Sequence, residues 1–418
     1  MNKYSHFIHF RFKVWCDRMY ISEGIVMKKK MSVVMFMLMM VFIGFGIVIP
    51  VLPRMITNAG ANEFHLGLML SIYSLIAFVV SPIWGALSEK VGRRPIILIG
   101  TLGFSISYLL FGLANGELWM MYVSRALGGI FSGAVASVIV AYVADITTPE
   151  QRTKGMAFVG MSIGLGFTFG PAFGGILSRY GYNTPFFAAS ALTFITCVLG
   201  FVLLKESLTP EERKGSRESA PSRWTAFTGR MKYLYVLSFF VTFTLAGLEA
   251  TLLYFEAARI PGITEEQIGY MFFFCGLSGA LVQGGVVRRY IKSGGEKKAI
   301  AVGLIISAAG FLLLLLSSSV VDATIYLCVF GIGNALIRPC VTSLITQKTT
   351  VSQGVASGLN SSMDSFGRIT GPLLATGLFG WNMNLPYIIG AVLCVAAIWL
   401  LIRFAVLDRN QTAANTTA

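Results

Sequence analysis

Residues 299–321, AIAVGLIISAAGFLLLLLSSSVV, run without a charge until Asp322, and residues 184–204 run without one until Lys205. About 20 consecutive apolar residues match the hydrocarbon thickness of a bilayer, and lipid offers no partner to an open backbone. Such segments are therefore helices that cross a membrane. Hydropathy and charge breaks together predict twelve, near 31–53, 66–87, 96–114, 118–141, 155–178, 184–204, 232–255, 267–287, 299–321, 323–346, 354–379 and 384–406. Only 12% of the chain is charged, about half the share of a soluble domain. The expected fold is all-α and integral to the membrane.

The net charge of +14 invites a nucleic-acid reading, which its distribution opposes. If both ends lie on one side, alternate loops fall into two sets. The set containing the termini, counting Lys232 and Arg403 at the span edges, holds 27 of the 33 Lys and Arg; the opposite set holds Arg54, Arg179 and Arg259, and the span interiors hold Arg125, Arg338 and Arg368. This is the positive-inside pattern, which predicts cytoplasmic termini in a multi-pass protein of the cell membrane and no nucleic-acid partner. Six cysteines stand singly without a CxxC, and His6, His9 and His65 have no ligand spacing, so neither a disulfide framework nor a metal is expected. No GxxxxGK[ST] phosphate loop occurs, so ATP is not the expected energy source. An enzyme is not expected, because His or Asp ligands do not cluster in the spans.

The one long polar stretch inside the chain, 205–231, divides the spans six and six. We read 1–30 as a basic N-terminal extension, 31–204 and 232–407 as two six-helix halves joined by the 205–231 linker, and 408–418 as a tail. No uninterrupted apolar core precedes Lys28, so a cleaved leader is not indicated. An internal repeat supports the division. At an offset of 201, GFTFGPAFGGIL (166–177) lies over GRITGPLLATGL (367–378), matching Gly166, Gly170, Pro171 and Leu177, and Thr148 lies over Thr349. Proline and glycine both oppose a helix in water. In a membrane span they let neighbouring backbones come close. Paired halves of this kind are a transporter architecture, with a substrate site between them near the midplane.

Residues 85–98, GALSEKVGRRPIIL, form a basic hairpin in which Gly92 permits a tight turn and Arg93 and Arg94 can pair with Glu89 or a helix end. Gly85, Leu87, Ser88, Lys90, Gly92, Arg93, Arg94 and Pro95 resemble the signature loop of the major facilitator superfamily, with Glu89 where that family usually has aspartate. The second-half counterpart, GVVRRYIKSGGEKK from Gly285, keeps the positive charge without the acid. GIVIPVLP (46–53), RALGGIFSGA (125–134) and GFTFGPAFGG, with Gly166, Gly170, Pro171, Gly174 and Gly175, resemble the motifs of the twelve-span drug:proton antiporters of that superfamily. FTLAGLEATLLYFEA (243–257), FGIGNALIRPCVTSL (330–344) and GLNSSMDSFGRITGPLLA (358–375) look like the bacterial pumps that export quinolones and cationic dyes.

The resemblance implies alternating access driven by protons, no cofactor, lipophilic small-molecule cargo and a functional monomer. A same-fold exporter of a sugar, peptide, siderophore or glycolipid is the nearest rival. A non-transporting receptor or sensor is a rival of another class. Ionisable residues inside spans are functional candidates. Glu249, flanked by Phe243, Leu248 and Leu252, is costly to ionise there and is the candidate for proton and substrate. The resemblance makes Arg125 a coupling residue. Arg338 precedes Pro339 and reads as structural or substrate-binding. Asp364 and Arg368, one turn apart, are expected to pair; Asp364 is also a proton-coupling candidate. Glu256 and Asp145, at span ends, are expected to be solvated or to brace loops. Asn334 stands where some related pumps carry an acid. Phe45, Met161, Phe240 and Phe243 are candidates for a soft cavity lining.

Overall fold

A computed structural model describes residues 31–148, 151–209, 226–287, 289 and 294–417. The 1–30 extension and most of the 205–231 linker lie outside these residues. So do several positions of the 285–298 loop. The helices are α1 (Met31–Asn58), α2 (Glu63–Val91), α3 (Arg93–Gly112), α4 (Leu118–Asp145), α5 (Arg152–Ser178), α6 (Thr184–Leu203), α7 (Met231–Arg259), α8 (Glu265–Val282), α9 (Glu296–Leu314), α10 (Val320–Lys348), α11 (Gln353–Trp381) and α12 (Leu385–Thr417). A π-helical turn, Gln283–Val287, extends α8. The end of the bundle carrying the α1–α2, α5–α6 and α7–α8 turns is called distal below, and the opposite end, where α1 begins, proximal.

Eleven of these helices are long and apolar enough to cross a membrane. The twelve expected spans include one more, α11, which is equally helical but carries Asp364, Arg368 and many small polar residues. It can afford them because it packs between α7 and α2 at the seam of the two halves, away from lipid. A second difference lies at the C-terminus. The stretch from residue 408 is not irregular chain: α12 continues through it to Thr417. Asp408 is 4% exposed and holds Arg230 at 2.8 Å and Lys297 at 2.7 Å, with Lys348 at 3.5 Å. Three cations on one carboxylate anchor the helix beyond its apolar run.

Local breaks follow proline. Pro50 cannot donate, and α1 opens into a turn at 49–51 with bonds from Ile49 N to Gly46 O and from Val51 N to Val48 O. Pro171 and Pro372 lie inside continuous helices. In α5 the glycines explain why: a Cβ on Gly170 would sit 2.6 Å from the Cα of Gly46, so α5 and α1 touch backbone to backbone. The repeat reproduces this contact. A Cβ on Gly371 would meet Phe243 O at 2.5 Å, and one on Gly247 would lie 3.0 Å from the Ala375 Cβ. Gly46 and Gly247 are themselves 201 apart, so α1–α5 and α7–α11 are the same packing used twice.

The halves have separate cores. Val34, Met69, Phe104 and Tyr142 belong to one; the second half divides into a proximal cluster around Leu234 and Ile337 and a distal one around Leu252, Phe255 and Phe311. Large residues such as Val79, Ile83, Phe201 and Leu281 are exposed, as expected of side chains that face lipid rather than water.

Candidate functional site

The centre of the seam collects the charged residues of the spans. Helices α7, α10 and α11 supply Glu249, Arg338, Asp364 and Arg368. Asp364 does not pair with Arg368 as its spacing suggested. Its Oδ2 faces Arg338 Nη2 at 3.6 Å, and its Oδ1 accepts from Ser238 Oγ at 3.0 Å and Thr242 Oγ1 at 2.8 Å. Two hydroxyls one turn apart on α7 thus hold a carboxylate on α11. Arg368 turns the other way, its guanidinium 5.5 Å above the Phe167 ring of α5. Packing against a ring across the seam has displaced the intrahelical pair, which is worth only about 0.2–0.5 kcal/mol.

Glu249 is half-buried and makes no hydrogen bond or ion pair among the described residues. The fields of Arg368 and Arg338 both reach it. Arg338 is therefore engaged by Asp364 rather than locked to Glu249, and the Glu249 carboxyl stays available to another charge.

The first half contributes aromatic surface. Phe45 lies 5.5 Å from Tyr73 and 5.4 Å from Phe167, centroid to centroid. Phe42 also contacts Phe167, at 5.5 Å. Tyr73 in turn faces Arg125 at 5.9 Å. Arg125 is 3% exposed. It sits 4.7 Å from the Phe111 centroid and 5.8 Å from that of Tyr108, and its Nε has no hydrogen-bond partner. A desolvated cation over aromatic faces gains about 2 kcal/mol, against an insertion cost of about 2.5–3.5 kcal/mol for arginine at mid-membrane. The rings offset most of the cost without an anion. An unbroken series, Arg125–Tyr73–Phe45–Phe167–Arg368, so crosses from α4 to α11.

The other candidates are less central. Phe240 meets Phe239 edge to face at 5.2 Å and Phe243 packs on it at a tilt, at 5.7 Å. Phe240 and Asn334 line a small cavity inside the second half, with Ser307; Asn334 Oδ1 and Ser307 Oγ there have no hydrogen-bond partner. Met161 is 53% exposed on α5, about six residues proximal to Phe167, and joins none of these contacts. Sequence reasoning missed Tyr73, Phe167, Ser238 and Thr242. The i, i+4 hydroxyl pair on α7 was a visible signal; the two rings were two aromatics among many.

At the proximal end, Gly92 takes a φ of +117°, which turns the chain straight from α2 into α3. Arg93, 7% exposed, gives Nε to Asp145 Oδ2 at 3.0 Å and Nη1 to Ser88 Oγ at 2.6 Å. Its partner is thus Asp145, not Glu89, because α4 ends beside the turn while Glu89 sits on the helix that Arg93 leaves. Asp145 braces the loop, as one of its two expected roles had it. Glu206 caps α3, accepting from Arg93 N at 2.8 Å and Arg94 N at 3.1 Å, where a carboxylate meets the positive end of a helix dipole. Arg94 reaches Phe201 O at 2.6 Å. A Cβ on Gly85 would meet nothing within 4 Å.

At the distal end the halves are clamped together. Arg54 Nε reaches Glu265 Oε1 at 2.7 Å, and Arg179 makes a two-point pair with Glu266, whose Oε1 also accepts from Tyr270 at 2.8 Å. Tyr254 donates to Pro53 O at 3.0 Å. Gly175 lies against the Glu265–Glu266 backbone, and Gly67 against Pro372 O. Two of the three arginines of the distal loops thus join one half to the other.

Comparison with known proteins accords with this geometry. The chain is 31% identical over 384 residues to multidrug resistance protein 1 of Bacillus subtilis, covering 90% of this chain and 97% of that one. It is 29% identical to the quinolone resistance protein NorA of Staphylococcus aureus over 364 residues, 86% of this chain and 92% of NorA. Among solved structures it superposes on the human organic anion transporter MFSD10 (TETRAN) with a TM-score of 0.69 at 25% identity, covering 90% and 99% of the two chains. The family model of the Major Facilitator Superfamily matches residues 34–352 and 295–418. With twelve helices in two repeated halves and matches along nearly its whole described length, the chain is a multi-pass membrane protein that belongs to the Major Facilitator Superfamily.

Proposed function

We propose that this chain is a proton-coupled antiporter that exports lipophilic, often cationic compounds or quinolones across the cytoplasmic membrane, working as a monomer with both termini in the cytoplasm. One observation carries the reading most directly. Glu249 is a half-buried carboxyl of α7 with no hydrogen bond or ion pair among the described residues; it lies in the field of Arg368, whose guanidinium sits over Phe167 of the aromatic surface that also holds Phe45 and Tyr73. An unpaired carboxylate attracts a cation, and a proton neutralises it and releases that cation. A bound substrate and a proton then compete for one group, which is the essence of exchange.

The other groups take supporting roles. Asp364, held by two hydroxyls and facing Arg338, is a second carboxyl able to carry a proton; Arg125 supplies a fixed positive charge. The close contacts of α5 with α8 and of α2 with α11, where Gly175 meets the Glu265–Glu266 backbone and Gly67 meets Pro372, are surfaces along which the halves rock. The Gly92 turn, with Arg93 on Asp145, ties α2–α3 to α4 and serves as a latch at the proximal end. The aromatic lining speaks for lipophilic cargo and against a sugar exporter, whose site would present hydroxyls and amides to its substrate. The relatives, being drug-resistance proteins, support the same reading.

Inverted vesicles with an acid lumen, given ethidium and norfloxacin in turn from the outside, test it. Proton-driven movement should occur with the native chain and fail with Glu249→Gln. Intact driven transport in that variant removes Glu249 from the proton site. If neither compound moves in the native protein, the choice of cargo is wrong.

A further inference from the structure

Sequence position gives Glu256, near the end of α7, a solvated or loop-bracing role. It is not solvated: the residue is 0% exposed. Its Oε2 accepts from Ser317 Oγ at 2.9 Å, while its Oε1 is buried without a hydrogen-bond partner. Ser317, in the α9–α10 connection, is itself only 4% exposed. The surroundings are the distal apolar cluster, including Phe255, Ile260, Leu314 and Tyr387.

Two other polar groups face this carboxyl. Arg259, one turn further along α7, bears on it electrostatically, yet makes no ion pair with it. Its guanidinium lies 5.1 Å over the Phe255 ring, with Nη1 buried and unbonded. Tyr387 of α12 is 1% exposed and lies in the field of both. Thr251, one turn before Phe255 on the same helix, is the remaining hydroxyl near Tyr387.

A wholly buried carboxylate with one hydroxyl donor and no counter-ion costs several kcal/mol, whereas a neutral carboxyl short of one hydrogen bond costs about 1–3 kcal/mol. The arrangement therefore suits a protonated Glu256. The charged form has a ready alternative, since Arg259 is at i+3, within pairing distance once it leaves the Phe255 ring. Glu256 also lies seven residues from Glu249 on the same helix face, about 10 Å along the axis. A short turn beyond Arg259 the chain enters α8, whose Glu265 and Glu266 hold the distal clamp. Movement of that clamp would shift Arg259 directly.

We infer that Glu256 is a second proton-binding carboxyl of the transport cycle, protonated with Arg259 held aside in this state and ionised when Arg259 swings onto it. Opening of the clamp exposes Oε1 to the distal solvent, with which its proton exchanges; no bond other than O–H is made or broken. The inference rests on proton-coupled transport, but its first test does not.

Infrared difference spectra of the purified full-length protein, recorded between acid and alkaline buffer, read carboxyl protonation without transport. Glu256→Gln should remove one protonated-carboxyl band that Glu249→Gln leaves in place. Arg259→Met should move the midpoint of that band to higher pH, because the ionised form loses its counter-ion. If Glu256→Gln does not fold, Glu256→Asp should keep the band at a shifted frequency. Spectra unchanged by all three substitutions overturn the inference. In vesicles, Glu256→Gln should slow proton-driven efflux several-fold and flatten its pH dependence, with dye binding at acid pH unaltered. An unaltered pH profile removes Glu256 from the cycle even if Glu249→Gln abolishes transport.

Discussion

Gly46 and Gly170 touch so closely that a Cβ on the first would stand 2.9 Å from the Cα of the second. Their counterparts 201 residues on, Gly247 and Gly371, repeat the contact between α7 and α11. A glycine in a membrane helix is thus worth what its neighbour makes it worth. Gly164, two residues before Gly166, has nothing within 4 Å of where its Cβ would be.

That contrast yields a stability prediction. Gly170→Ala should destabilise the purified protein by about 1–3 kcal/mol, the usual cost of overpacking. Gly164→Ala should be neutral or gain up to about 1 kcal/mol in helix propensity. Thermal unfolding in one detergent, with both variants side by side, decides it; equal shifts would mean the close approach carries no strain.

Arg93 and Asp145 are expected to act as a unit. Arg93→Ala and Asp145→Ala should each impair transport, and the double variant should lose little more, giving a coupling energy of about 0.5–3 kcal/mol. Arg93→Lys should not rescue, because one ammonium cannot reproduce the fork that bonds Asp145 and Ser88. Additive losses in a double-mutant cycle would show that the two side chains serve separate ends.

The distal pairs should differ in weight. The Arg179 side chain is 65% exposed and the Arg54 side chain 36%, while Glu265 and Glu266 are both nearly enclosed. Exposed pairs contribute about 0–1 kcal/mol. Glu265→Gln should therefore shift the protein toward distal opening more than Glu266→Gln, and high salt should weaken the Arg179 pair first. Thiol labelling of a cysteine in place of the near-isosteric Ser178, one turn beyond Gly175, in native and variant backgrounds, measures the opening. Labelling that ignores both substitutions would mean that packing alone closes this end.

Arg125 should tolerate no planar-to-point exchange. Arg125→Lys keeps the charge but gives up stacking against Phe111, and the buried ammonium is more strongly hydrated than a guanidinium. Efflux should fall sharply while the amount of folded protein in the membrane stays close to native. Retained efflux in Arg125→Lys would reduce the residue's part to a bare positive charge.

How far the chain could be read without its fold depends on the range of the interaction. Spans, breaks at Pro50 and Gly92, and the 201-residue repeat are written in local composition, because lipid thickness and backbone chemistry act on each segment alone. The glycines of α5 announced a close neighbour but not that it was α1 on one side and α8 on the other. Ion partners were less legible still. Asp364 reads as a mate for Arg368 one turn away, Arg93 as a mate for Glu89 or a helix end, and Glu256 as a solvated or loop-bracing acid. Each was settled by a residue far off in the chain, Arg338, Asp145 and Ser317. Neighbouring charges on one helix attract by only a few tenths of a kcal/mol, so whatever the packed helices bring within reach, a hydroxyl pair, a ring or a buried carboxylate, overrides them. The folded membrane helices, rather than the spacing along any one of them, choose where each charge goes.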